Sequence, residues 1–297
     1  MNKVFLSTNF DNIIQLLKAA NIDNLIIPNY FFALKIHFGE PGNTAYLKPD
    51  RVKPIADKIK TLGGKPFFTD ANTLYSGPRS NSKDHREVAR QHGFSDVIIS
   101  EEDDCVTIPV GLKHFKQVYL AGAAMRAPAM IVLTHFKGHE LTGFGGALKN
   151  VGMGLGTRKG KLKMHQDCLN CPEVKTCKKN LTIESCWIGS PTLVQEKMSE
   201  YCFGAVKDRK VGYINFITDV SPNCDCYGHN DPPIVPDIGV LASLDPVAID
   251  QASVDLVNKA AGHDIFRKLY PEADWNVQLD YAEKIGLGSR KYQILAV

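Results

Sequence analysis

A chain of 297 residues is long enough to bury one large α/β core, or two smaller ones, without disulfide or metal staples. With 44% hydrophobic and 23% charged residues it does not have a disordered composition, and a net charge of +3 without clustered Lys/Arg and aromatics gives no nucleic-acid surface. The first twenty residues are broken by Ser7, Thr8, Asn9, Asp11, Asn12 and Gln15, so they hold no signal-peptide core; no window reaches the ~18–20 apolar residues of a spanning helix, and a cytoplasmic, membrane-free protein is expected.

Taken in chain order, strand-like and helix-like patterns alternate. Residues 31–38 read as a strand, 52–62 as an amphipathic helix stopped by Gly63 and Gly64, and 66–69 as a second strand. A helix over 82–92 stops at Gly93. Short strands are expected at 96–99 and 118–120, and buried strands at 129–134 and 211–217. Later helices fall at 192–206, 246–261 and 278–285. The alternation predicts an α/β fold with a mostly parallel sheet flanked by helices. Residues 157–190 are rich in Lys and Cys and poor in periodic apolar residues. They divide the chain into an N-terminal α/β portion (1–156), a Cys-rich metal-binding insertion (157–190) and a C-terminal α/β portion (191–297). The run Arg158, Lys159, Lys161, Lys163 reads as a solvated loop with an anion contact behind it.

The residues that follow the strands carry the chemistry. His37 follows the first, Asp70 and Asn72 the second, His135, Lys137 and His139 the third, and Cys224 and Cys226 the fourth. Ligands bind at the carboxyl edge of parallel strands, so these clusters are expected to face one crevice. The catalytic candidates are His135, Lys137, His139, Lys149 and Asp70. The lysines suit a carboxylate or phosphate, or acid–base work if desolvated. Gly143, Gly145 and Gly146 permit close backbone approach, and a helix starting near Ala147 would aim free N–H groups at an anion; with His37 and Asn72 they form the cofactor-binding candidates. The run is neither a Walker loop nor GxGxxG.

Seven of eight cysteines fall between Cys168 and Cys226. Cys168, Cys171, Cys177 and Cys186 offer four thiolates whose spacing matches neither a bacterial ferredoxin run nor a standard zinc finger, so both an iron–sulfur cluster and zinc stay open. Cys224 and Cys226 suit a soft metal, with His229 and Asp231 near, or a redox pair with Cys202. Cys105, far from the rest, reads as structural.

The stretches KIHFGEPGNTAYLKP, FFTDANTLYSGPRSNSKDH, LTHFKGHELTGFGGALKNVGMG, RKGKLKMH and INFITDVSPNCDCYGHNDPPIVPDIGVLASLDPVAIDQAS resemble the iron–sulfur-centre proteins of the domain-of-unknown-function 362 family, over about Leu34 to Asn258. The resemblance implies a prokaryotic cytoplasmic iron–sulfur protein. Family members commonly carry a ferredoxin module with CxxCxxCxxxCP motifs after the Met-His at Met164 and His165; here only the atypical Cys168–Cys186 quartet stands there.

The reading that follows is a metal-dependent enzyme, redox in character, with an iron–sulfur centre (4Fe–4S by the family's pattern) on the quartet. It would act on a small anionic molecule and exchange electrons with a redox partner protein. The alternatives are a zinc-stabilised non-redox isomerase or hydrolase, and an electron-transfer or metal-delivery protein with no substrate of its own.

Overall fold

The computed structural model describes residues 1–297. Its strands are β1 (Asn2–Ser7), β2 (Phe31–Lys35), β3 (Lys65–Thr69), β4 (Cys105–Pro109), β5 (Gln117–Ala121), β6 (Ala129–His135), β7 (Lys137–His139), β8 (Gly143–Gly145), β9 (Lys210–Ile217), β10 (Gly239–Ser243) and β11 (Tyr292–Ala296). Seven of them form one sheet in the order β11-β1-β10-β9-β6-β2-β3. The quartet β3-β2-β6-β9 is parallel throughout. β10 is antiparallel to both β9 and β1, and β11 joins parallel to β1. This is the mostly parallel α/β sheet that the alternating pattern predicts.

The central strand β6 shows how the sequence sets this arrangement. All seven of its residues are buried, because helices cover both faces of the sheet and no position faces water. Period-two alternation then sorts its side chains. Met130 and Val132 join one apolar cluster, with Val151 and Leu155 of helix Ala147–Leu155 and Met198 of helix Pro191–Val206. Ala129, Ile131 and Leu133 join the opposite one, with Leu16 and Leu17 of helix Ile13–Ala19 and Ile55 and Ile59 of helix Pro49–Thr61.

Helix boundaries follow local chemistry. The Asn81 side chain accepts from Asp84 N to start helix Ser82–Gln91, and Asp245 accepts from Val247 N and Ala248 N to start helix Pro246–Ala261. Gly262 ends the latter in the left-handed region at φ 76°.

Several expectations are corrected. Residues 96–99 form no strand; Val97 makes only an isolated bridge to Phe68. The 118–120 strand exists, but in a separate antiparallel pair, β4–β5, where Cys105 is exposed. β1, β10 and β11 are not among the expected strands, although β10 is fully buried. The basic run is a helix, Arg158–His165, capped by Thr157, whose side chain accepts from Gly160 N at 3.2 Å. No helix is long and apolar enough to cross a membrane.

Candidate metal centre and its cavity

The carboxyl ends of β3, β2, β6 and β9 open onto a cavity of about 500 Å³. It is lined by His37 after β2, Asp70 after β3, Lys137 and His139 on β7, and Cys226 in the loop after β9, together with Lys149. Helix Arg158–His165 contributes Lys161 and His165 to the same wall.

The segment after β6 is a small hairpin. Lys137 pairs with Gly145 and His139 with Gly143. Alternate residues of a strand share a face, so Lys137 and His139 reach the cavity together. His135 does not join them. Its Nδ1 lies 2.9 Å from Asp225 Oδ2, and its Nε2 lies 2.9 Å from the Thr218 carbonyl. Both ring nitrogens meet acceptors, so His135 holds the loop after β9 and leaves the cavity to His139. Gly138 allows the loop to close: a Cβ there would stand 2.0 Å from the Pro222 carbonyl oxygen.

That loop presents Cys224 and Cys226 with Asp225 between them. Asp225 is fully buried and forms an ion pair with Lys137 Nζ at 3.1 Å. Burial works against its charge, but His135 and Lys137 prevail and hold the carboxyl below its usual range. The thiols turn the other way. The imidazole of His139 and the sulfurs of Cys224 and Cys226 all lie within 4.8 Å of one another, the one group of three or more potential metal ligands so gathered. Cys224 is held well below the usual thiol range by the hydrogen bond from Cys226, against burial and with help from Lys149 and His139. Cys224 Sγ accepts from the Cys226 N–H at 3.4 Å and from Lys149 Nζ at 3.6 Å. Cys226 moves well above its usual value, because it donates to that thiolate and is buried. The third member is His139, from a distant part of the chain, and not the neighbouring His229, which is exposed. Asp231 is engaged by the Asn223 amide at 2.5 Å. Cys202 is sealed in the apolar core, where burial pushes its thiol up.

Beside the thiols lies a buried ionic network. Arg79, 1% exposed, donates from Nε to Glu40 at 2.7 Å and from Nη2 to the Tyr75 hydroxyl at 2.6 Å, and its Nη2 lies 3.1 Å from His37 Nε2. Burial and then the Arg79 charge hold His37 well below its usual value. Asp70 pairs with Lys35 Nζ at 2.9 Å and stands 3.6 Å from Arg79. Burial opposes the Asp70 charge, but Lys35, with Arg79 beside it, keeps its carboxyl low. Asn72 faces away from the cavity, with its Oδ1 3.3 Å from His85 Nδ1.

The glycines have separate reasons. The N–H groups of Ala147 and Leu148 donate to the Asp250 carboxylate at 2.7 and 2.9 Å, so the helix start expected to take an external anion is already filled from within. Gly146 makes that possible, since a Cβ there would lie 2.4 Å from Asp250 Oδ1. Gly143 has φ 71°, and its Cβ would strike Trp275. Of the three glycines, Gly145 opens onto the lysines: its Cβ would stand 3.3 Å from Lys149 Cδ and 3.7 Å from Lys137 Cε.

Cys168, Cys171, Cys177 and Cys186 lie outside the cavity wall. Cys168 and Cys171 are half-buried, Cys177 is exposed, and Cys186 packs with Leu74 and Leu162. No three of their sulfurs come together as the His139 group does.

Sequence reasoning missed Lys35, His165 and Asp250, gave Asp225 no role beyond its place between Cys224 and Cys226, and read Lys161 in a solvated basic loop with an anion contact behind it. A lysine inside an apolar strand and an aspartate inside an apolar helix are signals in hindsight, since such charges are buried only with partners.

None of the curated proteins is similar in sequence to this chain. Among solved structures, the fold is similar to a Thermotoga maritima protein from a structural-genomics programme, with TM-score 0.50 and 11% identity over 86% of this chain and 59% of that one. A lactate racemase apoprotein from Thermoanaerobacterium thermosaccharolyticum gives TM-score 0.45 and 12% identity over 74% of this chain and 51% of that one. The chain thus spans between half and three-fifths of the length of these neighbours, and at such identities the likeness concerns the fold alone. Residues 32–255 match the family described as Domain of unknown function (DUF362), and the chain belongs to that family.

Proposed function

We propose that the protein is a metal-dependent enzyme in which His139, Cys224 and Cys226 hold a soft divalent metal ion at the edge of the cavity, and that the cavity takes a small anionic substrate. The observation that carries this reading is the donor set itself: two sulfurs and an imidazole within 4.8 Å of one another, beside a cavity of about 500 Å³. Three protein ligands with one position left open suit a catalytic ion, whereas structural sites close with four. Thiolate-rich sets favour zinc and other soft ions. The thiolate preference of Cys224 fits this chemistry.

When bound, the metal supplies Lewis-acid charge beside the substrate. The chain's own residues do the rest. Asp225, keyed to His135 and Lys137, sets the loop so that both thiols present to one side. Lys149 opposes negative charge that develops on a substrate near Cys224, against which its Nζ stands at 3.6 Å. The Cys224 thiolate keeps Lys149 protonated despite its burial.

The redox reading places an iron–sulfur cluster on Cys168, Cys171, Cys177 and Cys186, with a redox partner protein. Its support is the thiol count and the sequence resemblance, while the geometry favours the His139 group. An electron carrier or metal-delivery protein accounts less well for a cavity edged by Lys137, Lys149 and Lys161. A cytoplasmic location, expected from the sequence, suits eight free thiols.

Cobalt titration of metal-free protein tests the reading. A thiolate-to-cobalt charge-transfer band should saturate near one equivalent, persist in Cys168→Ser/Cys171→Ser and vanish in Cys224→Ser/Cys226→Ser. A band unaffected by the second double variant would rule it out.

A further inference from the structure

Helix Arg158–His165 gives the cavity wall two buried nitrogen groups with hydrogen-bonding capacity to spare, on the Lys161 ammonium and the His165 ring; Glu140 Oε2, elsewhere in the wall, is also without a partner. Lys161 and His165 stand four residues apart, on one helical face, and both line the cavity. Lys161 is 7% exposed. Its Nζ donates to the Gly156 carbonyl at 2.6 Å and the Gly154 carbonyl at 3.4 Å, and it forms no ion pair with a carboxylate. An ammonium has three protons to donate, so one remains for the cavity. The other buried cations nearby are matched: Arg79 by Glu40, Lys35 by Asp70, Lys137 by Asp225, Lys149 by Cys224. Burial, only partly offset by the Asp70 charge, lowers Lys161 to about 7.

His165 is 8% exposed, and its Nδ1 has no hydrogen-bond partner. Burial holds its ring neutral, with a pKa lowered to about 3. A buried charge without a counter-ion and a buried polar atom without a bond are both costly. Here the two sit on one helical face, and a single anionic group could answer both. One unmatched positive charge calls for one negative charge. Beyond it the wall turns apolar, with Leu74, Trp187, Val194 and Met198; the Trp187 ring stands edge-on to His165 at 4.5 Å between centroids.

We propose that this end of the cavity is a monocarboxylate site, in which the carboxylate bridges Lys161 and His165 and an apolar chain or ring lies along Leu74, Trp187, Val194 and Met198. The inference rests on the reading of the cavity as a substrate site and names its substrate class. A second negative charge would find no unmatched cation, since Arg79, Lys35, Lys137 and Lys149 are already paired, so dicarboxylates and phosphate are disfavoured.

Calorimetric titration of the metal-free full chain with acetate, butanoate, hexanoate, phenylacetate, succinate and phosphate tests it. Affinity should rise about fourfold per methylene from acetate to hexanoate. Succinate and phosphate should bind at least tenfold more weakly than hexanoate. Lys161→Met, checked for folding by circular dichroism, should cost hexanoate at least tenfold and leave hexanol unchanged, and Lys161→Arg should restore most of the loss. Trp187→Ala should flatten the chain-length dependence without altering acetate. Failure of folded protein to bind any monocarboxylate, or indifference to Lys161→Met, overturns the proposal. Because no metal is present, the outcome is separable from the cobalt titration: metal without carboxylate sinks this inference alone.

Discussion

Replacing Asp225 by Asn removes the charge that Lys137 and His135 share in the interior while keeping the side chain's shape. Asp225 is fully buried, Lys137 is 5% exposed, and the charges stand 3.1 Å apart. Two unit charges at that distance attract by about 5 kcal/mol at an effective dielectric of about 20. Breaking such a pair from one side leaves Lys137 uncompensated, for which buried pairs set a cost of about 3–5 kcal/mol. At about 2 °C per kcal/mol for a chain of this size, thermal unfolding should drop by about 6–10 °C. The pH dependence gives a second readout. The Asp225 carboxyl lies below its ordinary 3.8 in the folded chain. Its contribution is therefore present above the unfolded value and is lost as pH falls through the folded one, so wild type and variant should converge in acid. Differential scanning calorimetry from pH 7 to pH 3, with cobalt affinity measured at pH 7, checks both parts. An Asp225→Asn protein that melts within about 1 °C of wild type and keeps its cobalt affinity would refute the reasoning.

Gly146→Ala should destabilise by about 2 kcal/mol or more, because its Cβ would meet the Asp250 carboxylate that caps helix Ala147–Leu155, whereas Gly145→Ala should fold normally and alter only cavity binding; urea denaturation separates them. His85 is buried and neutral, lowered to about 3 by burial and then by Arg79. A histidine depressed on folding loses stability as pH falls below its unfolded value, by about 3 kcal/mol between pH 7 and pH 4.5, and His85→Leu should remove that slope. Asp250 runs the opposite way: burial raises it to about 6, so its charge becomes more costly to the fold as pH rises from 3.8 to about 6. That slope, about 3 kcal/mol in all, should be absent from the urea stability of Asp250→Asn.

The parallel strands were legible because burial on both faces leaves unbroken apolar runs, as in β6 and β9. β1 and β11 were not, since β11 is the sheet's edge with no fully buried residue and β1 buries only Val4 and Ser7, so neither shows a clean period of two. Polar residues at the strand ends located His37, Asp70, Lys137, His139 and Cys226. The same signal could not separate residues that face the cavity from residues that brace it: His135 and Asn72 look alike in sequence but bond inward. Lys161 and His165 were hidden by composition. Their helix buries Gly160, Lys161 and His165 beside Leu162 and Met164, so its inward face reads as a basic loop. The pairing of His139 with Cys224 and Cys226 depends on how the β7–β8 hairpin meets the distant loop after β9, which no local pattern reports.

The central claim is the placement of the metal. Elemental analysis and absorption spectra of anaerobically purified protein test it most directly, for wild type beside Cys224→Ser/Cys226→Ser and Cys168→Ser/Cys171→Ser. About one metal ion per chain, lost in the first variant and kept in the second, is the predicted result. Iron with sulfide and a broad visible absorption, kept in the first variant and lost in the second, would contradict it and return the metal to the Cys168–Cys186 quartet.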